Sequence, residues 1–246
     1  MRFAVIADIH GNALALEAVL ADIAARGIGD IVNLGDCFSG PLEADKVAET
    51  LLLLDLPTVR GNHDRYLIEQ DSTEMGASDA IAFSQLDDRA LEWIRGLPVD
   101  MVWRDDVYCC HAQPENDNSY WLETVSDGGK FHLKPLAEIE AIARDIPQSL
   151  ILCGHSHIAR SMRLSDGRLI VNPGSVGCPA YDDDLPIPHK VEVGHPRACY
   201  VICEKIEGHW HIAFQQVEYD HMAMSALAAA NGRAEWASAL AYGDLR

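Results

Sequence analysis

No apolar run in this 246-residue sequence approaches the ~18 residues needed to cross a bilayer; the Leu51 to Leu54 tract is far too short. No charged leader with an apolar core and cleavage site precedes the strand pattern that begins at residue 2, so a cytoplasmic location without membrane attachment is expected. Positive charge is scarce: 19 Lys and Arg stand against 38 Asp and Glu, a formal net charge of -19. That balance argues against a nucleic-acid partner bound through its phosphate backbone, though not against small phosphorylated substrates, because bound divalent cations would reverse the local sign. Repeats and low-complexity linkers are also missing, and a single domain over 1–246 is expected. Seven cysteines, an odd number falling mostly in strand-like segments, read as reduced core thiols. Adjacent Cys109 and Cys110 should point to opposite faces of a strand and form no disulfide. A 48% hydrophobic and 23% charged composition is that of an ordinary globular protein.

What is present is organised around Asp8-Ile9-His10. Phe3 to Ala7 is a nearly continuous apolar run, the pattern of a strand buried on both faces. In extended backbone the spacing i, i+2 would put the Asp8 carboxylate and the His10 imidazole on one side of the chain, where one cation could hold both. Asn12 to Ala25 then reads as a helix with Asn12 as N-cap and Leu14, Leu16, Val19, Leu20 and Ile23 as its apolar stripe. Taken alone, the pair would not justify a metal site, because a carboxylate at a strand-to-helix turn is more often a cap or a turn former. The construction recurs, however: an apolar strand ending in His, Asp or Asn appears again at Ile31 to Asp36, Thr58 to Asp64, Val107 to His111 and Leu150 to His157. The last delivers Gly154-His155-Ser156-His157, two histidines that one cation, or two adjacent ones, can take.

Between these pieces, Leu42 to Leu54 reads as a helix and Pro57 to Val59 as a short strand. Tyr66 to Gly96 is helical in pattern, with Ala80, Ile81, Ser84, Leu91, Trp93 and Ile94 on successive turns and no chemistry assigned. Val99 to Trp103 and Val107 to Cys110 form a hairpin. Two loop-rich inserts follow, at about 112–148 and 180–197, the first carrying Tyr120 and Trp121, which either stack on a substrate ring or pack the insert onto the body. Arg160 to Arg163 and Arg168 to Val171 make another hairpin, and Asn172 to Ser175 turns back towards the site. A last strand pair, Ala198 to Glu204 and Trp210 to Gln216, precedes an Ala-rich helical segment, Tyr219 to Tyr242, broken at Asn231-Gly232.

In order and spacing, Asp8-x-His10, Gly35-Asp36, Gly61-Asn62-His63-Asp64, His111 and Gly154-His155-x-His157 resemble the calcineurin-like metallophosphoesterase superfamily. Ala7 to Asn12 and Asn172 to Gly177 look like its small bacterial and archaeal branch, often labelled phosphodiesterases. The resemblance covers residues 1 to about 111 and 149 to about 204. It implies an α/β (α+β) fold, a four-layer sandwich of two mixed β-sheets flanked by helices, with the site at the strand C-terminal ends. It also implies two divalent metal ions, Mn2+ in the first instance with Fe, Zn, Co or Ni as alternatives. Asp8, His10, Asp36 and His157 would hold one ion, and Asp36, Asn62, His111 and His155 the other. His63 would donate a proton to the leaving oxygen, and Asp64 would orient His63 through its ring N–H.

By the same resemblance the chain hydrolyses phosphodiester or phosphomonoester bonds through a hydroxide activated by the two metals. The substrate would be a small phosphorylated molecule or nucleotide. A serine/threonine protein phosphatase or a dinucleoside polyphosphate hydrolase on the same site is the alternative, and a non-catalytic scaffold like the retromer subunit a third reading, against which the complete ligand set weighs. A homo-oligomer is left open. One departure stands out: where relatives of this branch have Gly-Ser-Pro after the fourth motif's histidine, this chain has Ala112-Gln113-Pro114, and Gln113 is the candidate replacement donor.

Overall fold

Strand β1 (Arg2–Ile6) is buried on both faces because its alternating side chains serve two different cores. Phe3 and Val5 point into one, Ala4 and Ile6 into the other. In the computed structural model, which describes residues 1–246, β1 is followed by α1 (Ala13–Ala25), β2 (Ile31–Asn33) and α2 (Ala44–Leu54). Helices α3 (Asn62–Glu69), α4 (Ala77–Gln85) and α5 (Asp88–Gly96) come next, then the hairpin β3 (Asp100–Trp103) and β4 (Val107–Cys110). The first insert contains the hairpin β5 (Glu123–Ser126) and β6 (Lys130–Leu133) and helix α6 (Leu136–Ile142), and leads to β7 (Leu150–Leu152), β8 (Arg160–Arg163) and β9 (Leu169–Asn172). The remainder is β10 (Ala180–Asp183), β11 (His189–Glu192), β12 (Ala198–Ile206), β13 (His209–Val217), α7 (His221–Ala230) and α8 (Ala234–Tyr242).

Two mixed sheets stack face to face, one in the order β13-β12-β1-β2 and the other β3-β4-β7-β9-β8. Between them lies a core of Phe3, Val5, Val32 and Val201 from the first sheet against Val107, Cys109, Leu152 and Val171 from the second. The outer face of the first sheet packs on α1 and α2 through Ile6, Leu16, Val19, Ile23 and Val47, and that of the second on α6 through Ile151, Ile170 and Ile139. The result is the four-layer order helix, sheet, sheet, helix. Cys109 joins the core between the sheets and Cys110 the one under α6, and all seven cysteines are free and buried.

Several boundaries differ from the sequence reading. Pro57 to Val59 forms only an isolated bridge, Thr58 to Asn33, because the chain turns immediately at Arg60-Gly61. The segment 180–197 is not irregular throughout: Ala180 to Asp183 pairs antiparallel with His189 to Glu192, a short ladder masked by its Pro and Asp content. In α4 the buried positions are Asp79 and Ala82, one turn apart, whereas Ile81 is only partly covered.

Candidate metal centre

Each strand of the inner region ends by delivering one or two polar side chains to the same end of the two sheets. Asp8 and His10 follow β1, Asp36 follows β2, Asn62 and His63 open α3, His111 follows β4, and His155 and His157 follow β7. The backbone does not stay extended there. Asp8, His10, Asp36, His155 and His157 all have positive φ, between 53° and 67°. Left-handed backbone at a non-glycine residue costs roughly 1–2 kcal/mol, so five such residues persist only where surrounding bonds over-determine them. The placing of Asp8 and His10, and of His155 and His157, thus comes from left-handed backbone and not from the alternation of an extended strand.

Those bonds are visible. The Asp8 and His10 N–H groups donate to the carbonyls of Gly35 and Asp36 at 3.0 Å each. The Ser175 hydroxyl donates to the Asp8 carbonyl at 2.7 Å, and the Asn172 amide to the Gly154 carbonyl at 2.7 Å, so the Asn172 to Ser175 turn clamps two of the ligand loops. Gly61 is required by proximity: a Cβ there would stand 2.1 Å from Asp36 Oδ1.

Two groups form, Asp8 with His10 and His157, and Asp36 with His111 and His155, the offered atoms of each lying within 4.8 Å of one another. Asp36 stands between them, its Oδ2 3.2 Å from His111 Nε2 and 3.9 Å from His10 Nε2. Asn62 Oδ1 is 3.1 Å from His111 Nε2. Three imidazoles face a backbone carbonyl through Nδ1: His10 with Ser39 at 2.7 Å, His111 with Leu34 at 2.8 Å and His157 with Cys178 at 2.8 Å. Donation through Nδ1–H leaves each Nε2 to present its lone pair inward. His155 does the reverse, with Nε2 3.1 Å from the Asn118 carbonyl, which leaves Nδ1 for the site.

The electrostatics divide the imidazoles. Burial, and then the neighbouring His157, pull His10 down to about 4. Burial and His111 pull His155 down to about 3. Burial also opposes charge on His111, but Asp36 and Asp8 outweigh it and lift His111 to about 9. Asp36 is itself driven well below the carboxylate range: its burial works the other way and is overcome by His111, His63 and His10.

Asp64 does not orient His63. Its fully buried carboxylate accepts from the backbone N–H groups of Asp36, Cys37 and Gly61 at 2.8, 2.9 and 3.1 Å, tying the two ligand turns together. The partner of the His63 ring is Asp79, whose Oδ1 lies 2.9 Å from His63 Nδ1, with the Ser39 hydroxyl at 3.3 Å. Burial opposes charge on His63, and Asp79 and Asp36 reverse the balance and raise it to about 9. Asp79 escaped the sequence because it sits in no motif; its only signal is a carboxylate on the same face as Ala82 in an amphipathic helix, where charge is rarely buried without a partner. Gln113 donates to the Tyr120 carbonyl at 2.8 Å and so helps to hold the insert.

The comparisons agree with this arrangement. The calcineurin-like phosphoesterase superfamily domain matches residues 1–186. The uncharacterized protein MJ0912 of Methanocaldococcus jannaschii is 27% identical over 245 residues, 88% of this chain and 87% of that one. The crystal structure of a metallophosphoesterase from Sphaerobacter thermophilus superposes with a TM-score of 0.75 at 25% identity, covering 99% of this chain and 100% of that one. With the family's domain matched over three quarters of its length and the His and Asp loops gathered at one end of its sheets, this chain belongs to the calcineurin-like phosphoesterase superfamily.

Proposed function

We propose that the chain is a dinuclear, metal-dependent phosphoesterase hydrolysing phosphodiester or phosphomonoester bonds in small organic phosphates. The observation that supports this best is the facing pair His10 Nε2 and His157 Nε2, 3.1 Å apart, each on a ring whose Nδ1 is engaged by a carbonyl. Two lone pairs at that separation repel unless a cation or a proton lies between them. Asp8, His10, Asp36 and His157 would hold one ion, and Asp36, Asn62, His111 and His155 the other, with Asp36 shared. A nitrogen and oxygen donor set without thiolate suits Mn2+, and also Fe, Zn, Co or Ni. Two such cations would supply positive charge for the phosphoryl oxygens and a hydroxide near neutral pH.

The remaining work falls to the chain's own residues. Asp79 accepts the Nδ1–H of His63, which fixes the ring and leaves Nε2 as the atom that carries a proton to the leaving oxygen. The His63 backbone N–H donates to Asp36 Oδ1 at 2.9 Å, so the turn that carries the proton donor is tied directly to the shared carboxylate. Asp64 keeps that turn closed and acts through position alone.

The test is turnover of bis-p-nitrophenyl phosphate and p-nitrophenyl phosphate after chelation and after addition of each divalent ion. Chelation is expected to abolish hydrolysis and Mn2+ to restore it for at least one ester. Hydrolysis that survives chelation, or none with any metal, contradicts the reading.

A further inference from the structure

Four of the five imidazoles at the site pack against a Tyr or Trp ring, three of them against one from a different part of the chain. Tyr66 of α3 stands 5.4 Å from His63, and Tyr120 of the first insert stacks on His155 at 4.9 Å. Tyr181 of β10 meets His157 edge-on at 4.7 Å, and Trp236 of α8 meets His10 at 5.9 Å. His111, fully buried, has His155 as its neighbour instead. All four aromatic side chains line one cavity of about 800 Å³ that opens from the metal centre. That is the size of a site for a whole small molecule, well beyond a phosphoryl group alone.

The hydroxyls of the three tyrosines are already engaged. The Tyr66 hydroxyl donates to Asn118 Oδ1 at 2.7 Å, the Tyr181 hydroxyl to that of Tyr120 at 3.0 Å, and Tyr120 in turn bonds His189 Nε2 at 3.0 Å. What these residues offer the cavity is ring surface. The cations on the walls are engaged as well: Arg233 with Glu235 at 2.6 Å and Ser78 at 2.8 Å, and Lys134 with the Tyr120 carbonyl at 2.5 Å. Glu123, Asp182 and Asp183 also line the cavity. With the Arg233–Glu235 and Arg160–Glu123 pairs set against each other, the walls keep Asp182 and Asp183 against Lys134, so a second anionic group on the substrate would meet a net negative lining.

We infer that the aromatic collar is the subsite for the organic half of the substrate, and that this half is a flat, uncharged aromatic or heteroaromatic group. The inference rests on the phosphoesterase reading and narrows it, away from polyphosphates and phosphoproteins. Tyr66, Tyr120, Tyr181 and Trp236 are specificity residues; none of them reaches the reacting atoms.

The test uses two phosphonates that cannot be hydrolysed and differ only in their organic group. Phenylphosphonate and methylphosphonate are titrated calorimetrically into the full-length, Mn2+-loaded protein. Phenylphosphonate should bind on the order of tenfold more tightly, the range of one stacking contact. Trp236→Ala should remove most of that preference while methylphosphonate affinity holds, which also shows the variant is folded, and Trp236→Phe should keep most of it. 4-Carboxyphenylphosphonate should lose the advantage of the phenyl ring. Equal affinity for the phenyl and methyl compounds, an equal loss of both in Trp236→Ala, or full affinity for the carboxylated ring overturns the proposal. Turnover of p-nitrophenyl esters by the same preparation separates two failures: with turnover present, equal affinities sink only the collar; with neither turnover nor phosphonate binding, both readings fall.

Discussion

The floor of the cavity and its rim are built on opposite principles. The floor consists of the turns at 8–12, 35–37, 61–64, 111 and 154–157, largely buried, left-handed at five non-glycine residues, and cross-braced by backbone and side-chain hydrogen bonds at 2.6 to 3.3 Å. The rim comes from α3, the first insert, β10 and α8, where Tyr66, Tyr181 and Trp236 are half-buried, and the insert is docked through Trp121, Leu122 and Ile139 as well as through the Arg65 to Asp117 pair at 2.7 and 2.8 Å. A rigid floor holds charges at fixed separations, and a rim of rings on separate segments can change without disturbing them. On the proposed reading, chemistry and selectivity would then fall largely on different parts of the chain.

Substitutions in the two regions should therefore fail differently. The largest effect is expected for Asp36→Asn, which removes the shared carboxylate: metal-dependent turnover should drop on the order of 10³-fold or more with the circular dichroism unchanged. Gly61→Ala should do the same by steric displacement, since its Cβ would meet Asp36 Oδ1 at 2.1 Å. An unchanged rate with added Mn2+ in either variant would break the distinction.

Next comes the pair of carboxylates around His63. Asp79→Asn should lower turnover roughly 10²-fold for esters with poor leaving groups and much less for p-nitrophenyl esters, with little change in stability. Asp64→Asn should instead lower stability by roughly 1–3 kcal/mol, because a buried acceptor of three backbone N–H groups is compromised. Thermal unfolding and a leaving-group series distinguish them; reversed outcomes would return the orienting role to Asp64.

A smaller effect is expected at the rim. Arg65→Ala should cost about 1 kcal/mol, expose the insert near Asp117 to proteases and raise KM several-fold with kcat nearly constant. A fall in kcat alone would show that the insert belongs to the floor.

The smallest effect is a pH dependence. His111 is raised from 6.5 to about 9, so its protonation stabilises the chelated protein fully below about 6.5 and is lost as pH rises through 9. Melting temperature in chelator should fall by a few degrees over that interval as His111 and His63, also raised to about 9, lose their protons, and by less in the Mn2+-loaded protein, where His63 alone of the two still titrates. Parallel curves would mean that metal does not replace the His111 proton.

How far these regions can be read from sequence follows from the same contrast. Strand ends carrying His, Asp and Asn in tight spacing announce that Asp8, His10, Asp36, Asn62, His111, His155 and His157 gather at one place, and the alternation of strand and helix and the hairpins at 100–110 and 160–172 are equally legible. The left-handed path through Asp8 and His155 is not, because those conformations are imposed by tertiary hydrogen bonds and not by local preference. The orienting role that the resemblance implies for Asp64 is not the one the turn gives it, because the turn aims its carboxylate at backbone N–H groups of the loop after β2. Asp79 lies 16 residues from His63 on another helix, and nothing in a helical pattern announces which side chain will meet which. Trp236 and Tyr181 reach the cavity only through the packing of α8 against β10.

The central claim is that one cluster of side chains holds two cations across Asp36. Anomalous scattering from crystals soaked in Mn2+ tests it most directly. The account predicts two peaks per chain, one among Asp8, His10 and His157 and one among Asp36, Asn62, His111 and His155, both lost in Asp36→Asn. A single peak, or none within reach of Asp36, would contradict it.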